Sequence, residues 1–245
     1  MVLTFLFTFT NGKGGTGKTT LNVLLSETLC KRGKKVLGID LDFNSCFSAV
    51  YHFELKDETS KLFLSGKMVT PYHVKDNASG GLIDIIPSDL DMNMLSNVMD
   101  TQLKIMLKKS GFLEQYDYII LDPPGTWNAQ NRNAVFAANK IVISTTFSSL
   151  DFNATIKYFD QLSNCMLDAD VMVICNKSNS RQNLDGIQDM YRAQFGEYLI
   201  NAQIPDIKSM KKLVDNPDYP LHPSVLKRLD KYVSAVIGRV EVENA

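Results

Sequence analysis

Gly12-Lys-Gly-Gly-Thr-Gly-Lys-Thr19 is the stretch that decides how this chain folds. It satisfies the pattern G-x-x-x-x-G-K-[ST], a phosphate-binding loop whose glycines let successive backbone N–H groups converge on phosphate oxygens. In that pattern Lys18 reaches the β- and γ-phosphates and the Thr19 hydroxyl holds Mg²⁺. The loop needs a strand before it and a helix after it. Val2–Thr10 is an apolar, β-branched and aromatic run, and Leu21, Leu24, Leu25 and Leu29 then recur at helical spacing until Gly33. A phosphate is therefore expected at a helix N-terminus, where free amides and the helix dipole favour an anion. Gly12, Lys13, Gly14, Gly15, Thr16, Gly17, Lys18, Thr19 and Thr20 are the expected nucleotide-binding residues.

Outward from the loop, strand-like and helix-period segments alternate. Strands are predicted at Leu3–Phe9, Val36–Asp40, Leu82–Pro87, Tyr118–Asp122, Lys140–Thr145, Val171–Asn176 and Tyr198–Ile204. Helices are predicted near Thr19–Arg32, Leu90–Lys109, Asn128–Ala138, Asp151–Met166 and Leu184–Phe195, with a further amphipathic pattern opening at Pro223. Continuous apolar strands such as Ile141-Val-Ile143 suit a sheet buried on both faces. The expected fold is α/β, a mostly parallel twisted sheet flanked by helices, in one domain over residues 1–245. Tyr51–Gly81 mixes charge, Gly and Pro without periodicity and reads as a solvated connection with short helices. Trp127 reads as a core residue.

Composition narrows the function classes. With 245 residues, 44% apolar and 22% charged, the chain has the make-up of an ordinary globular protein. A net charge of −1 and a pI near 6.3 do not mark a dedicated nucleic-acid-binding domain, although a local basic face remains open. No apolar stretch reaches the length of a membrane span. The N-terminal apolar run lacks a basic flank and leads into the loop, so a core strand is expected there instead of a signal peptide. Cys30, Cys46, Cys165 and Cys175 show no metal-ligand spacing and read as reduced, mostly buried thiols. The three histidines are scattered and suggest no metal site.

Two acidic strand ends complete the reading. Val36-Leu-Gly-Ile-Asp-Leu-Asp42 ends in carboxylates spaced i, i+2, which alternation points the same way with Leu41 opposite. Beside a phosphate loop such acids can organise Mg²⁺ and water. Tyr116-Asp-Tyr-Ile-Ile-Leu-Asp122 is apolar until its last residue.

With Lys13 in the loop, these segments resemble the ParA/MinD family of deviant Walker A, P-loop ATPases, and the resemblance runs from residue 2 to about 240. It implies ATP and Mg²⁺ as ligands, with Lys13 reaching across a homodimer interface to the nucleotide of the partner subunit, much as an arginine finger does. The catalytic set it implies is Lys13, Lys18 and Asp42, with Asp42 orienting or activating the attacking water. Thr19, Asp40 and Asp122 are then the magnesium set, Asp122 standing at the end of a Walker B strand. The family continues its aspartate pair as Asp-x-Asp-Pro-Gln, where this chain has Phe43-Asn44. It also continues the Walker B strand as Asp-x-Pro-Pro, where Asp122-Pro-Pro-Gly125 is shifted by one residue. Asn176 and the Pro205-Asp206 turn correspond to base-contacting positions.

The Pro223 pattern places Val225, Leu226, Leu229, Val233, Val236 and Ile237 opposite Lys227, Arg228 and Lys231. Its acidic end, Glu241-Val-Glu-Asn-Ala245, does not suit the membrane anchor of MinD-type members, so a helix packed on the sheet is expected. With the first strand beginning at residue 2, no N-terminal helix-turn-helix extension is expected. The resemblance is thus to a small ParA-type partition ATPase, cytoplasmic and nucleoid-associated. It implies an ATP-bound dimer on nonspecific double-stranded DNA, slow hydrolysis stimulated by a centromere-binding ParB-type partner, and no membrane. Lys208, Lys211, Lys212, Lys227, Arg228 and Lys231 are the candidate DNA contacts. The alternatives are a MinD-like membrane-positioning ATPase and a ParA-like ATPase that positions a protein cargo. A metabolic or metal-trafficking relative would commonly carry a Cys-x-x-Cys pair, which this sequence lacks.

Overall fold

A computed structural model describes residues 4–51, 57–146, 148–178, 185–205, 212, 216, 219 and 222–241. In chain order its elements are β1 (Phe5–Thr10), α1 (Lys18–Lys31), β2 (Lys35–Asp40), α2 (Cys46–Val50), α3 (Ser60–Leu64), β3 (Tyr72–Asp76), β4 (Leu82–Ile86), α4 (Gln102–Ser110), α5 (Phe112–Gln115), β5 (Tyr118–Asp122), α6 (Ala129–Ala137), β6 (Lys140–Thr145), α7 (Ser149–Ser163), β7 (Asp170–Ser178), α8 (Asp185–Phe195), β8 (Leu199–Pro205) and α9 (Pro223–Glu241). Among the described residues, eight strands form one sheet in the order β3-β4-β2-β5-β1-β6-β7-β8. Every ladder is parallel except β3–β4. Parallel neighbours need crossovers, and the helices that supply them cover both faces.

Strand alternation assigns each apolar side chain to a face. Phe7, Phe9, Tyr118, Ile120, Val142, Met172 and Ile174 point one way, onto Leu21, Leu25 and Leu29 of α1 and Leu229, Val233 and Val236 of α9. Leu6, Ile119 and Leu121 point the other way, onto Leu103, Met106 and Leu107 of α4. Farther along that second face, Ile141, Ile143, Val173 and Cys175 meet Tyr158, Leu162, Tyr191 and Phe195 of α7 and α8. Each fully buried Leu or Phe contributes roughly 1.5–3 kcal/mol relative to exposure. The apolar stripe of α9 is thus consumed by the sheet, as its acidic end suggests, while Lys227 and Lys231 stay exposed. Among the described residues, no helix is long and apolar enough to cross a membrane.

Two segments depart from the sequence reading. The helix expected over Leu90–Lys109 begins only at Gln102, and a 3-10 turn at Met92–Met94 precedes it. The Asp89 carboxylate accepts the Asp91 amide at 2.7 Å, and Gln130 of α6 donates to the carbonyls of Met92 at 2.5 Å and Leu95 at 3.4 Å. Those side-chain bonds replace the i, i+4 ladder, and Leu90 and Met94 remain solvent-facing. Within Tyr51–Gly81, α3 is the kind of short helix expected, but the antiparallel edge strand β3 is not. β3 escapes the reading because Tyr72-His-Val-Lys-Asp76 is half exposed along its length and shows no clean apolar alternation. The cysteines are less uniformly buried than expected: Cys30 and Cys175 are buried, Cys165 is half-buried and Cys46 is exposed. Trp127 packs edge-on against Tyr158, with ring centroids 5.7 Å apart.

Gly81, at the start of β4, lets the strand approach the end of α1. A Cβ there would stand 2.1 Å from the Cys30 carbonyl oxygen, a backbone atom that cannot swing aside. Gly81→Ala is therefore expected to lower stability by roughly 1–3 kcal/mol, read by urea denaturation. An unchanged midpoint would show that this approach is loose.

Candidate active site

The loop from Asn11 to Gly17 leaves β1 at the centre of the sheet, between the carboxyl ends of β5 and β6, where open α/β sheets bind ligands. Gly15 (φ 79°) and Gly17 (φ 90°) take left-handed backbone that side chains resist, and the chain turns there into α1. Gly17 caps α1 without any side-chain bond, and the first turn holds no acid. By contrast, α6 and α7 are capped by Asn128 and Ser148, which accept from their own helix amides. The amides at the start of α1 are therefore left for an anion.

The loop is braced from the neighbouring strands. Asn11 donates to the Ser144 carbonyl at 2.5 Å and accepts the Lys13 amide at 3.2 Å. The Thr16 and Ser144 hydroxyls meet at 3.0 Å, and Asn176 donates to the Thr16 carbonyl at 2.8 Å. Above the loop lies a cleft of about 490 Å³, lined by Gly12, Gly14, Gly15, Gly17 and Lys18 to Thr20, by Asp42 to Asn44, and by Pro124 to Thr126. Lys18 is nearly buried in it. Burial lowers its pKa, partly offset by the charges of Asp122 and Asp42. A Cβ on Gly125 would stand 3.1 Å from Lys18 Nζ and 3.4 Å from the Gly14 nitrogen, so the turn after β5 closes directly over the loop.

The acids divide by depth. Asp40 and Asp122 face each other in register at the ends of β2 and β5, both fully buried. Asp122 accepts from the Thr19 hydroxyl at 2.8 Å and from Asn22 at 2.5 Å. Asp40 accepts from the Ser48 amide at 2.8 Å, the Ser48 hydroxyl at 2.7 Å and the Asp42 amide at 3.1 Å. Burial pushes both carboxyls well above the usual aspartate range. The charge of Asp122 raises Asp40 further, while Thr19, Asn22 and Lys18 pull Asp122 down. Asp42, partly exposed, lines the cleft itself, and Asn44 donates to its Oδ1 from the backbone at 3.1 Å and from the side chain at 2.9 Å. Alternation thus did not aim the pair alike: β2 ends at Asp40, which turns inward to Ser48, and Asp42 belongs to the loop beyond.

Lys13, 47% exposed, pairs with Asp151 in the first turn of α7. Burial would raise the Asp151 carboxyl, but bonds from Lys13 and Thr146 outweigh it and hold the carboxyl below the ordinary range.

The other expected residues are described in part. Asn176 braces Thr16, and Pro205 ends β8. Asp206, Lys208 and Lys211 lie outside the described residues. Lys212 Nζ stands 5.1 Å over the Tyr219 ring, and Lys227, Arg228 and Lys231 lie on α9.

Reasoning from sequence missed Asn22, Ser48, Ser144, Asp151 and Gly125. Asn22 was within reach, since it lies one helical turn after Thr19 and so shares its face. Asp151 is 138 residues from Lys13 and carried no local signal.

A divalent cation fits this donor set. The Thr19 hydroxyl and the Asp122 carboxylate are hard oxygens, and a cation beside them would favour ionisation of the two acids that burial holds above the usual aspartate range. Among the described residues no three His, Cys, Asp or Glu side chains cluster as a metal cage. Mg²⁺ commonly takes few protein ligands and completes its shell with water and phosphate.

Comparison with known proteins agrees with this geometry. Residues 6–167, more than half of the chain, match the family model described as AAA domain. The chain belongs to this family, within its ParA/MinD group of P-loop ATPases. The cell division protein PomZ of Myxococcus xanthus is 28% identical over 199 residues, which cover 75% of this chain and 62% of that protein. The chain thus spans less than two thirds of this relative's own length. The maintenance of carboxysome distribution protein A of Synechococcus elongatus is 25% identical over 94% of this chain and 91% of its own. A plasmid partition protein from Borrelia burgdorferi superposes with a TM-score of 0.75 at 18% identity, covering 95% of this chain and 99% of that one, which shows a shared fold.

Because folded Asp40 and Asp122 hold their protons above the pKa of unfolded aspartate, the pair costs the nucleotide-free protein stability as pH rises from about 4 through the folded values. Side-chain ¹³C NMR at about pH 6, where ordinary aspartates are ionised, is expected to show a protonated carboxyl at this pair. Titration of both in step with the exposed aspartates would contradict the buried pairing.

Proposed function

We propose that the chain is a ParA-type nucleotide switch that hydrolyses ATP and, in its ATP state, joins a second copy of itself and holds nonspecific double-stranded DNA. The observation that carries this reading is the conjunction of an uncapped, glycine-turned loop with Lys18 inside the cleft and the additional Lys13 at its mouth. The loop amides and Lys18 hold the β- and γ-phosphates, and the Thr19 hydroxyl with Asp122 holds Mg²⁺, with Asp40 supporting the shell. The bound cation supplies charge neutralisation at the phosphates. Asp42, in the cleft wall, orients or activates the attacking water, and Asn44 fixes its carboxylate. Lys13 exchanges Asp151 for the partner's nucleotide and stabilises charge developing on the transferred phosphoryl group. Asn176, Pro205 and Asp206 are the candidate base contacts in this reading.

The exposed Lys227 and Lys231 of α9, together with Lys208, Lys211, Lys212 and Arg228, form the DNA-facing set. A dimer doubles each patch, so weak phosphate contacts become binding. Release follows hydrolysis, accelerated by a centromere-binding ParB-type partner, and the setting is the nucleoid. The Borrelia fold match supports partition of a replicon. A second reading, positioning of a protein cargo on the nucleoid, is favoured by the near full-length match to the carboxysome distribution protein. Burial of Leu229, Val233, Val236 and Ile237 of α9 favours the DNA reading over a membrane-positioning one.

Binding to random-sequence duplex DNA at fixed moderate salt tests the reading. Mg-ATP is expected to give binding that Mg-ADP does not, with affinity falling steeply as salt rises. Equal, absent binding in both states would discard the DNA-tethered switch.

A further inference from the structure

The loop motif does not say what holds the turn after β5 against the phosphate loop. Asn131, in the first turn of α6 and fully buried, donates from Nδ2 to the Pro124 carbonyl at 2.9 Å. The same nitrogen lies 3.1 Å from the hydroxyl of Thr10, the last residue of β1. The Tyr158 hydroxyl of α7 donates to Asn131 Oδ1 at 2.8 Å and is also hydrogen-bonded to Thr10. Donor counting sets the directions. Tyr158 gives its proton to Asn131, so Thr10 must donate to Tyr158 while its own oxygen receives the Asn131 amide. The three buried side chains close a ring in which each bond polarises the next.

The ring touches both walls of the cleft. A Cβ on Gly12 would stand 3.1 Å from Tyr158 Cδ2, so the start of the phosphate loop rests on the tyrosine ring. Pro124 leads directly to Gly125, the residue over Lys18 Nζ. Tyr158 also lies two helical turns along α7 from Asp151, on the same face, and Asp151 holds Lys13.

We propose that Asn131 and Tyr158 are positioning residues that hold the Pro124–Gly125 turn at the depth where it meets the terminal phosphate, and so set the preference for nucleoside triphosphate over diphosphate. This rests on the reading of the cleft as the Mg-ATP site. Lys18 serves the β- and γ-phosphates alike, so what the turn over its tip adds is contact with the terminal phosphate, which a diphosphate lacks. A triphosphate extends to the tip of Lys18, where Gly125 stands, and its binding there depends on a turn already held in place.

The test uses the full chain with Tyr158→Phe, which keeps the ring under Gly12, and Asn131→Ala. ADP and a non-hydrolysable ATP analogue are titrated by calorimetry with Mg²⁺ present, and kcat and KM for ATP are measured. Both variants are expected to bind ADP within about twofold of the native protein, and to lose about tenfold in analogue affinity and in kcat, the scale of one buried hydrogen bond. Equal losses for both nucleotides would reduce the ring to structural support of the loop and overturn the proposal. Native discrimination and kcat in both variants would overturn it as well. A native protein that binds neither nucleotide would instead bring down the reading of the cleft on which the proposal stands.

Discussion

The structure depends on holding one glycine-rich loop in shape while the helix that follows it starts without a side-chain cap. A phosphate loop works only if its N–H groups stay available, yet a glycine-rich segment without internal bonds has no reason to hold one shape. Here the shape comes from outside. Asn11 and Thr16 anchor to Ser144 at the end of β6, Asn176 of β7 holds the Thr16 carbonyl, and Tyr158 of α7 supports Gly12. Apart from the Lys13 amide, which Asn11 accepts, these bonds reach the loop's carbonyl and side chains, and α1 starts without a side-chain cap. Central placement of β1 makes this possible, because only an interior strand has neighbours on both sides to supply braces.

The same placement produces the electrostatics. Parallel register brings Asp40 and Asp122 level at adjacent strand ends, and the helices above bury them. Burial disfavours the charged forms of these two acids and of the nearby Lys18, and a bound cation with an anionic ligand would restore them. Lys13 lies outside this core, its half-exposed side chain paired with the buried carboxylate of Asp151. That division fits the proposed switch, in which the buried groups hold the ligand and Lys13 is the residue that changes partner.

Much of this was legible before any coordinates. Phosphate-loop chemistry is local in sequence, so Gly12 to Thr19 announced both a strand and a helix, and apolar runs ending in Asp40 and Asp122 announced buried parallel strands. The β3 edge strand was hidden because half-exposed strands carry no strong period, and the Leu90–Lys109 helix was over-read because Gln130, distant in sequence, captures two of its carbonyls. Asp40 and Asp42 show a different limit. Alternation holds only while the strand lasts, and β2 stops between them. The second layer of the site, Ser48, Ser144, Asp151 and the Thr10–Asn131–Tyr158 ring, is built by contacts across the fold and left no pattern to read.

The central claim is that the cleft is completed by a second copy of the chain only when triphosphate fills it. Sedimentation velocity of the Asp42→Ala variant, chosen to slow hydrolysis, tests this most directly in Mg-ATP and in Mg-ADP. The account predicts a dimer with ATP, a monomer with ADP, and a monomer with either nucleotide once Lys13→Ala is added. The same mass in both nucleotides, or an ATP dimer indifferent to Lys13, would contradict it.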